Sequence, residues 1–249
     1  MKKKLIFFML ICVLVIQVSA QTSKIDTVAV SILDRMSTVI GDLASCSVKI
    51  STSYDVHTKH LGLIKHSDEE KLYMHGPDKL LAISEGDKGS RSFYFNGSVL
   101  TYYSEDKNQY AQINAPSSIM NMIDSVHKDY GIDFPLSDFF YPTFVDDLIA
   151  ESKELVFLGT TKVDGKDCFH IAGIAKDKSF QFWISDDAFS LPLKEVIVYT
   201  AKEGNPQFEA EFNDWQINPV IPNAIFEFNV APQAKKIKLA PVHIIPVKK

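Results

Sequence analysis

The chain has 249 residues, enough for one large domain or two small ones at roughly 100 to 200 residues each. Hydrophobic residues make up 46% and charged residues 23%, a composition that excludes wholesale disorder and collagen-like structure. With Lys+Arg 26 against Asp+Glu 31 the net charge is -5, and an acidic balance argues against a phosphate-backbone footprint, so no nucleic-acid partner is expected.

Residues 1–20 have the layout of a signal peptide. Lys2, Lys3 and Lys4 precede an apolar run from Leu5 to Val18, and Val18-Ser19-Ala20 ends in the small residue that signal peptidase prefers. Cleavage is expected before Gln21, leaving residues 21–249 as a single domain. The 14-residue run spans only about 21 Å as a helix, short of the ~30 Å hydrocarbon core. Cys12 follows Leu10-Ile11 without the small residue that a lipidation site needs, so an exported, non-lipidated protein is expected. Two cysteines then remain, Cys46 and Cys168, and an even count in an oxidising compartment permits one disulfide between them; the alternative is two buried free thiols.

From Ile25 to Leu43 apolar residues recur at steps of three and four, which predicts an amphipathic helix. The period switches to two at Cys46, Val48, Ile50, Tyr54 and Val56, the mark of a strand. Short strands are expected at 61–64, 71–75, 80–84, 92–95, 99–103 and 109–113. Asn96-Gly97 reads as a type I′ hairpin turn and Asp106-Lys107-Asn108 as another turn. No helical pattern separates these runs, so antiparallel pairing is expected.

A helical interlude follows, with Ser117 as its cap, Ile119, Met122, Ile123, Val126 and Tyr130 on one face, and Gly131 at its end. Leu136, Phe139, Phe140 and Tyr141 follow Pro135, and 144–150 predicts another turn or two; these pieces are too short to stand alone and must lie on something. Strands return at 154–163, 168–175, 180–185, 193–201, 207–215 and 226–230, with hairpin signals at Asp164-Gly165 and Glu203-Gly204-Asn205. The tail 235–249, basic and carrying Pro241 and Pro246, reads as an edge strand or a frayed end.

The motifs with well-defined catalytic mechanics are absent: no G-x-S-x-G, H-E-x-x-H, P-loop, C-x-x-C or G-x-G-x-x-G occurs. No enzyme activity, cofactor or metal is expected. His57 and His60 stand three apart, which on a strand sends them to opposite faces, and no third ligand is apparent. Asp146-Asp147 and Asp186-Asp187 read as solvated turn acids. The aromatic content is more informative. Phe93, Phe95, Phe180, Phe182, Phe208 and Phe212 stand at alternating strand positions and must face a common interior. That interior is either a filled core or, if the sheet curves without closing, an apolar cleft able to hold acyl chains.

Several fragments, in order, resemble one family: Met74 to Leu80, Phe95-Asn96-Gly97, Gly131 to Phe139, Leu158-Gly159 with Val163-Asp164-Gly165, Cys168-Phe169-His170, Trp183-Ile184, Leu191 to Lys194, Pro206-Gln207-Phe208 with Asp214-Trp215, Phe226-x-Phe228 and Ala231-Pro232. This succession is similar to the predicted periplasmic proteins of unknown function numbered 2092, themselves similar to the LolA-like lipoprotein-localisation carriers. The resemblance implies an α+β, mainly antiparallel β fold: a strongly curved half-open barrel with helices packed on its concave side, located in the periplasm. It brings no catalytic residues.

Two functions follow as expectations. The first is a carrier holding lipid, an acyl chain or a lipopeptide in an apolar cleft built from the six strand phenylalanines, with Leu136, Phe139 and Phe140 as a lid. It implies transient contact with a membrane surface. The second is a non-catalytic structural or interaction module binding an envelope protein at a sheet edge or through the basic tail.

Overall fold

The computed structural model describes residues 24–134 and 136–241; the expected signal segment 1–20 with Cys12, Gln21, Pro135 and the tail beyond residue 241 lie outside the described residues. In chain order the elements are β1 (Lys24–Ile25), α1 (Thr27–Gly41), β2 (Ser45–Thr58), β3 (Gly62–His75), β4 (Lys79–Gly86), β5 (Gly89–Phe95), β6 (Val99–Ser104), β7 (Gln109–Asn114), α2 (Ile119–Tyr130), α3 (Phe144–Glu151), β8 (Glu154–Val163), β9 (Lys166–Ile174), β10 (Ser179–Ser185), β11 (Pro192–Val198), β12 (Gln207–Ile217) and β13 (Lys235–Lys236). The strands form one sheet in the order β1-β8-β9-β10-β11-β12-β2-β3-β4-β5-β6-β7-β13. Pairing is antiparallel except where β1 joins β8 and β13 joins β7. The sheet is strongly curved and does not close, and helices pack on its concave side, the α+β, mainly antiparallel architecture expected.

Side-chain alternation explains which face is buried. The register places Phe182, Glu195, Ala210, Thr52 and Asp68 in one row across β10, β11, β12, β2 and β3, with Phe212, Ile50, Glu70, Ser84 and Arg91 in the next. Ala29, Leu33, Met36 and Ile40 form the stripe of α1 that packs on this surface, and Ile119, Met122, Ile123 and Val126 do the same for α2. Asp26 caps α1, accepting from Val28 N at 2.8 Å, and its other oxygen accepts from Phe157 N at 3.2 Å, tying the helix start to β8. The cap of α2 is Ser118, one residue after the expected Ser117, and its hydroxyl accepts from Asn121 N at 3.2 Å. Gly131 ends α2 in the left-handed region at φ 64, and its N–H donates to His127 O.

Several expected elements change. The strands expected at 61–64 and 71–75 are one continuous strand, β3: its charged middle, Lys65 to Glu70, pairs residue by residue with β2. The Asp164-Gly165 turn has positive φ at both residues, as a type I′ turn requires, but at Asn96-Gly97 only Gly97 does, so that turn is not type I′. The strand expected to run to residue 201 ends at Val198. The strand expected at 226–230 is instead a 3-10 turn, Asn223–Phe226, followed by irregular chain.

That irregular chain wraps the convex face. Phe228 packs among Tyr94, Tyr103 and Tyr110 with ring centroids 5.3 Å from each, Asn96 donates to Glu227 and Asn108 to Pro232 O, and β13 lies along β7.

Of the two alternatives for the cysteines, the structure has the free thiols and not the bridge. Cys46 and Cys168 are both buried free thiols. Cys46 lies on β2 and Cys168 on β9, with β10, β11 and β12 between them. At roughly 4.8 Å per strand spacing that puts them ~19 Å apart along the sheet, beyond the ~7 Å a bridge can span.

Candidate functional site

The six strand phenylalanines all face the concave side, and the lid candidates Leu136, Phe139 and Phe140 lie against the same cluster. They divide into two groups. Phe95, Phe180, Phe182, Phe212 and Phe139 are buried. Phe139 contacts Phe144 at 5.1 Å and meets Phe182 and Phe212 edge-on at 5.8 and 5.7 Å, so this part of the interior is a filled aromatic core. Gly173 makes room for it: a Cβ there would lie 2.2 Å from the Phe180 ring. Phe93, Phe208, Leu136 and Phe140 are only partly buried and border open space. The concave side therefore has a packed aromatic core in one part and open space beside it.

The cleft is partitioned. A chamber of about 560 Å³ lies between the loop after α2 and strands β11 and β12, with Glu195, Ile197 and Phe208 on its wall. A second, about 360 Å³, lies over β2 to β5, with Thr52, Asp68, Glu70, Ser84, Arg91 and Phe93 on its floor. A narrow apolar slot of about 30 Å³ runs over Val48, Leu72, Met74 and Leu80. A third chamber, about 250 Å³, opens near the end of α1 beside Leu43, Cys46 and Met120, with Phe140 between it and the slot. Phe134 and Leu136 border the slot and both larger chambers. Phe134 is held by the Phe93 ring at 5.1 Å, and Leu136 sits at φ 69, a conformation that L side chains other than Asn and Asp rarely adopt.

Phe139 is an anchor in the core, whereas Phe140, Leu136 and the unanticipated Phe134 are the rings and side chain that bound the spaces.

The cleft also carries acids that were not anticipated. Glu195 is 7% exposed on β11; burial first, and then the Asp138 carboxylate, raise its pKa from 4.5 to about 8, while Lys178 acts in the opposite direction. Burial likewise raises Glu70 to about 7, opposed by Arg91 and reinforced by Asp68. Arg91 Nη1 lies 3.7 Å from Asp68 Oδ1. The signal for these residues was available: Asp68 and Glu70 continue the same alternation that puts Leu72 and Met74 inward, but it is legible only once 62–75 is read as one strand. Cys46 borders the third chamber, and burial pushes its thiol up to about 12, so it holds its proton.

Among solved structures the chain is similar to lipoprotein LppX of Mycobacterium tuberculosis, at 14% identity and a TM-score of 0.47 over 79% of this chain and 98% of that one. It is also similar to LprF of Mycobacterium bovis, at 12% and 0.45 over 79% and 96%, and to a LolA-superfamily protein of Nitrosomonas europaea, at 10% and 0.38 over 80% and 97%. The comparison with curated proteins gives no match. The family model for predicted periplasmic proteins, DUF2092, matches residues 29–240, from the first buried residue of α1 to the segment beyond β13, and the chain belongs to that family.

Proposed function

We propose that this chain is a non-catalytic periplasmic carrier that holds a lipid, acyl chain or lipopeptide between the curved sheet and the segment after α2. The observation that carries this reading is the partition itself: chambers of about 560 and 360 Å³ and an apolar slot are separated by Phe134 and Leu136, two partly buried side chains on an irregular segment. An entering chain would replace those side chains against Val48, Leu72, Met74 and Leu80, and each methylene buried there would contribute about 0.8 kcal/mol. Export through residues 1–20, without lipidation, belongs to the same proposal. Loading at a membrane would present the β2–β3 turn, where Leu61 is 76% exposed beside Lys59 and His60. The alternative, an interaction module using a sheet edge or the basic tail to hold an envelope protein, has less support, because Lys235 and Lys236 of that tail already pair along β7.

The test is binding of the neutral apolar probe N-phenyl-1-naphthylamine by delipidated protein, with native mass spectrometry of protein isolated from its own envelope. The wild type is expected to bind the probe and to carry an amphiphile adduct. Phe140→Asp, at a partly buried position between the slot and the third chamber, is expected to weaken the probe at least tenfold while the melting temperature falls by only a few degrees. An empty wild-type protein that binds no probe would overturn the proposal.

A further inference from the structure

The concave floor changes character along its strands. Inward-facing residues of β3 run Met74, Leu72, Glu70, Asp68; across the register, β4 runs Leu80, Ala82, Ser84 and β5 runs Phe95, Phe93, Arg91. Within two residues per strand, about 7 Å, the surface passes from apolar to ionic. An occupant lying along the strands would therefore meet hydrocarbon-like walls at one end and polar groups at the other.

Those polar groups are mostly acceptors in want of donors. Asp68 is 7% exposed and Ser84 is 4% exposed, both border the second chamber, and among the described residues Asp68 Oδ1 and Ser84 Oγ have no hydrogen-bond partner. Buried polar atoms are normally satisfied, so two open ones on a chamber floor indicate a missing partner. Arg91 does not supply it: at 3.7 Å its Nη1 is too far from Asp68 Oδ1 for a hydrogen bond, and one guanidinium faces the two carboxylates of Asp68 and Glu70. The rim acids already have partners, Asp55 in Lys65 at 3.0 Å and Asp133 in His127 at 2.6 Å, so the open acceptors are those of the floor.

We propose that the second chamber receives a primary ammonium group carried on an apolar chain, held by Asp68, Glu70 and the Ser84 hydroxyl oxygen while the chain lies over Leu72, Met74 and Leu80. This rests on the carrier reading above and specifies its ligand. An ammonium brings three donors for the open Asp68 and Ser84 oxygens, and a positive charge to match the carboxylate that Arg91, serving both Asp68 and Glu70, leaves over. A phosphate or carboxylate head would instead face Asp68 and Glu70 with Arg91 as its sole cation on the floor. The ammonium can come from an aminolipid or from a lysine side chain of an acylated peptide; the chamber's chemistry is the same for both.

The test is displacement of N-phenyl-1-naphthylamine by three amphiphiles with the same chain: dodecylamine, dodecanol and dodecanoic acid. In the wild type the amine is expected to compete at least tenfold better than the acid, with the alcohol between them. In Asp68→Asn, which keeps the side-chain shape, the preference is expected to fall below threefold while the alcohol competes as before; Ser84→Ala is expected to weaken the amine alone. Equal competition by amine and acid, or an unchanged preference in Asp68→Asn, would overturn the headgroup assignment and leave the carrier proposal standing. If the probe binds neither protein and none of the three amphiphiles is retained in native mass spectra, both proposals fall. Two further arms, an N-acyl ornithine and a dodecanoylated lysine peptide, assign the source: the one that competes better than dodecylamine identifies the lipid or the peptide.

Discussion

Glu195→Gln isolates the contribution of a buried acid in the cleft wall. Glu195 sits on β11 opposite Phe182 of β10 and Ala210 of β12, and it interacts electrostatically with Asp138, Lys178 and Tyr199. Its pKa rises from 4.5 to about 8 on folding, so between those values the folded chain binds a proton that the unfolded chain does not. Stability from this group is therefore fully present below pH 4.5 and is lost as pH rises toward 8, at up to ~1.4 kcal/mol per pH unit. Integrated over the whole window that reaches ~5 kcal/mol, of which roughly 3–4 kcal/mol accrues between pH 5 and pH 8. Glutamine keeps the shape and cannot ionise. Urea unfolding between pH 5 and pH 8.5 should show the two proteins nearly equal at pH 5 and the variant more stable by that amount at pH 8, with unchanged m-values. Glu70, raised to about 7 by burial, adds a smaller dependence of the same sign that both proteins share. A stability difference that stays constant across the pH range would refute the reasoning, because it would mean that Glu195 ionises equally in both states.

Phe139→Ala should cost about 3–5 kcal/mol by chemical unfolding, since it removes a ring packed against Phe144, Phe182 and Phe212; a loss under 1 kcal/mol would show that the segment is not anchored there. Phe228→Ala should release the chain beyond β12 from Tyr94, Tyr103 and Tyr110, so limited proteolysis should cut between residues 218 and 234 at least tenfold faster, with the rest of the domain intact. Protein beginning at Gln21 and purified without reductant should show no rapidly reacting thiol when native and two when denatured; a count of zero after denaturation would restore the Cys46–Cys168 bridge.

Much of the fold was legible in the sequence because local rules set it. Alternation at Cys46 to Val56 and at Phe180, Phe182, Phe208 and Phe212 assigned one face of each strand to the interior, and the α1 and α2 stripes needed such a surface to cover. Asp164-Gly165 and Gly131 marked a turn and a helix end through backbone conformations that few residues adopt. Strand pairing across distant segments was not legible. Only the order β9-β10-β11-β12-β2 shows that Cys46 and Cys168 lie too far apart to bond, since nothing in their spacing along the chain encodes three intervening strands. The charged run from Lys65 to Glu70 read as a break between two strands because propensity reports average polarity, whereas β2 and β4 on either side carry it as one strand and turn Asp68 and Glu70 into the cleft. The division of the rings into core and wall also belongs to the tertiary structure: Phe139 and Phe140 are adjacent in a four-residue turn, and only what packs around that turn buries one and leaves the other beside open space.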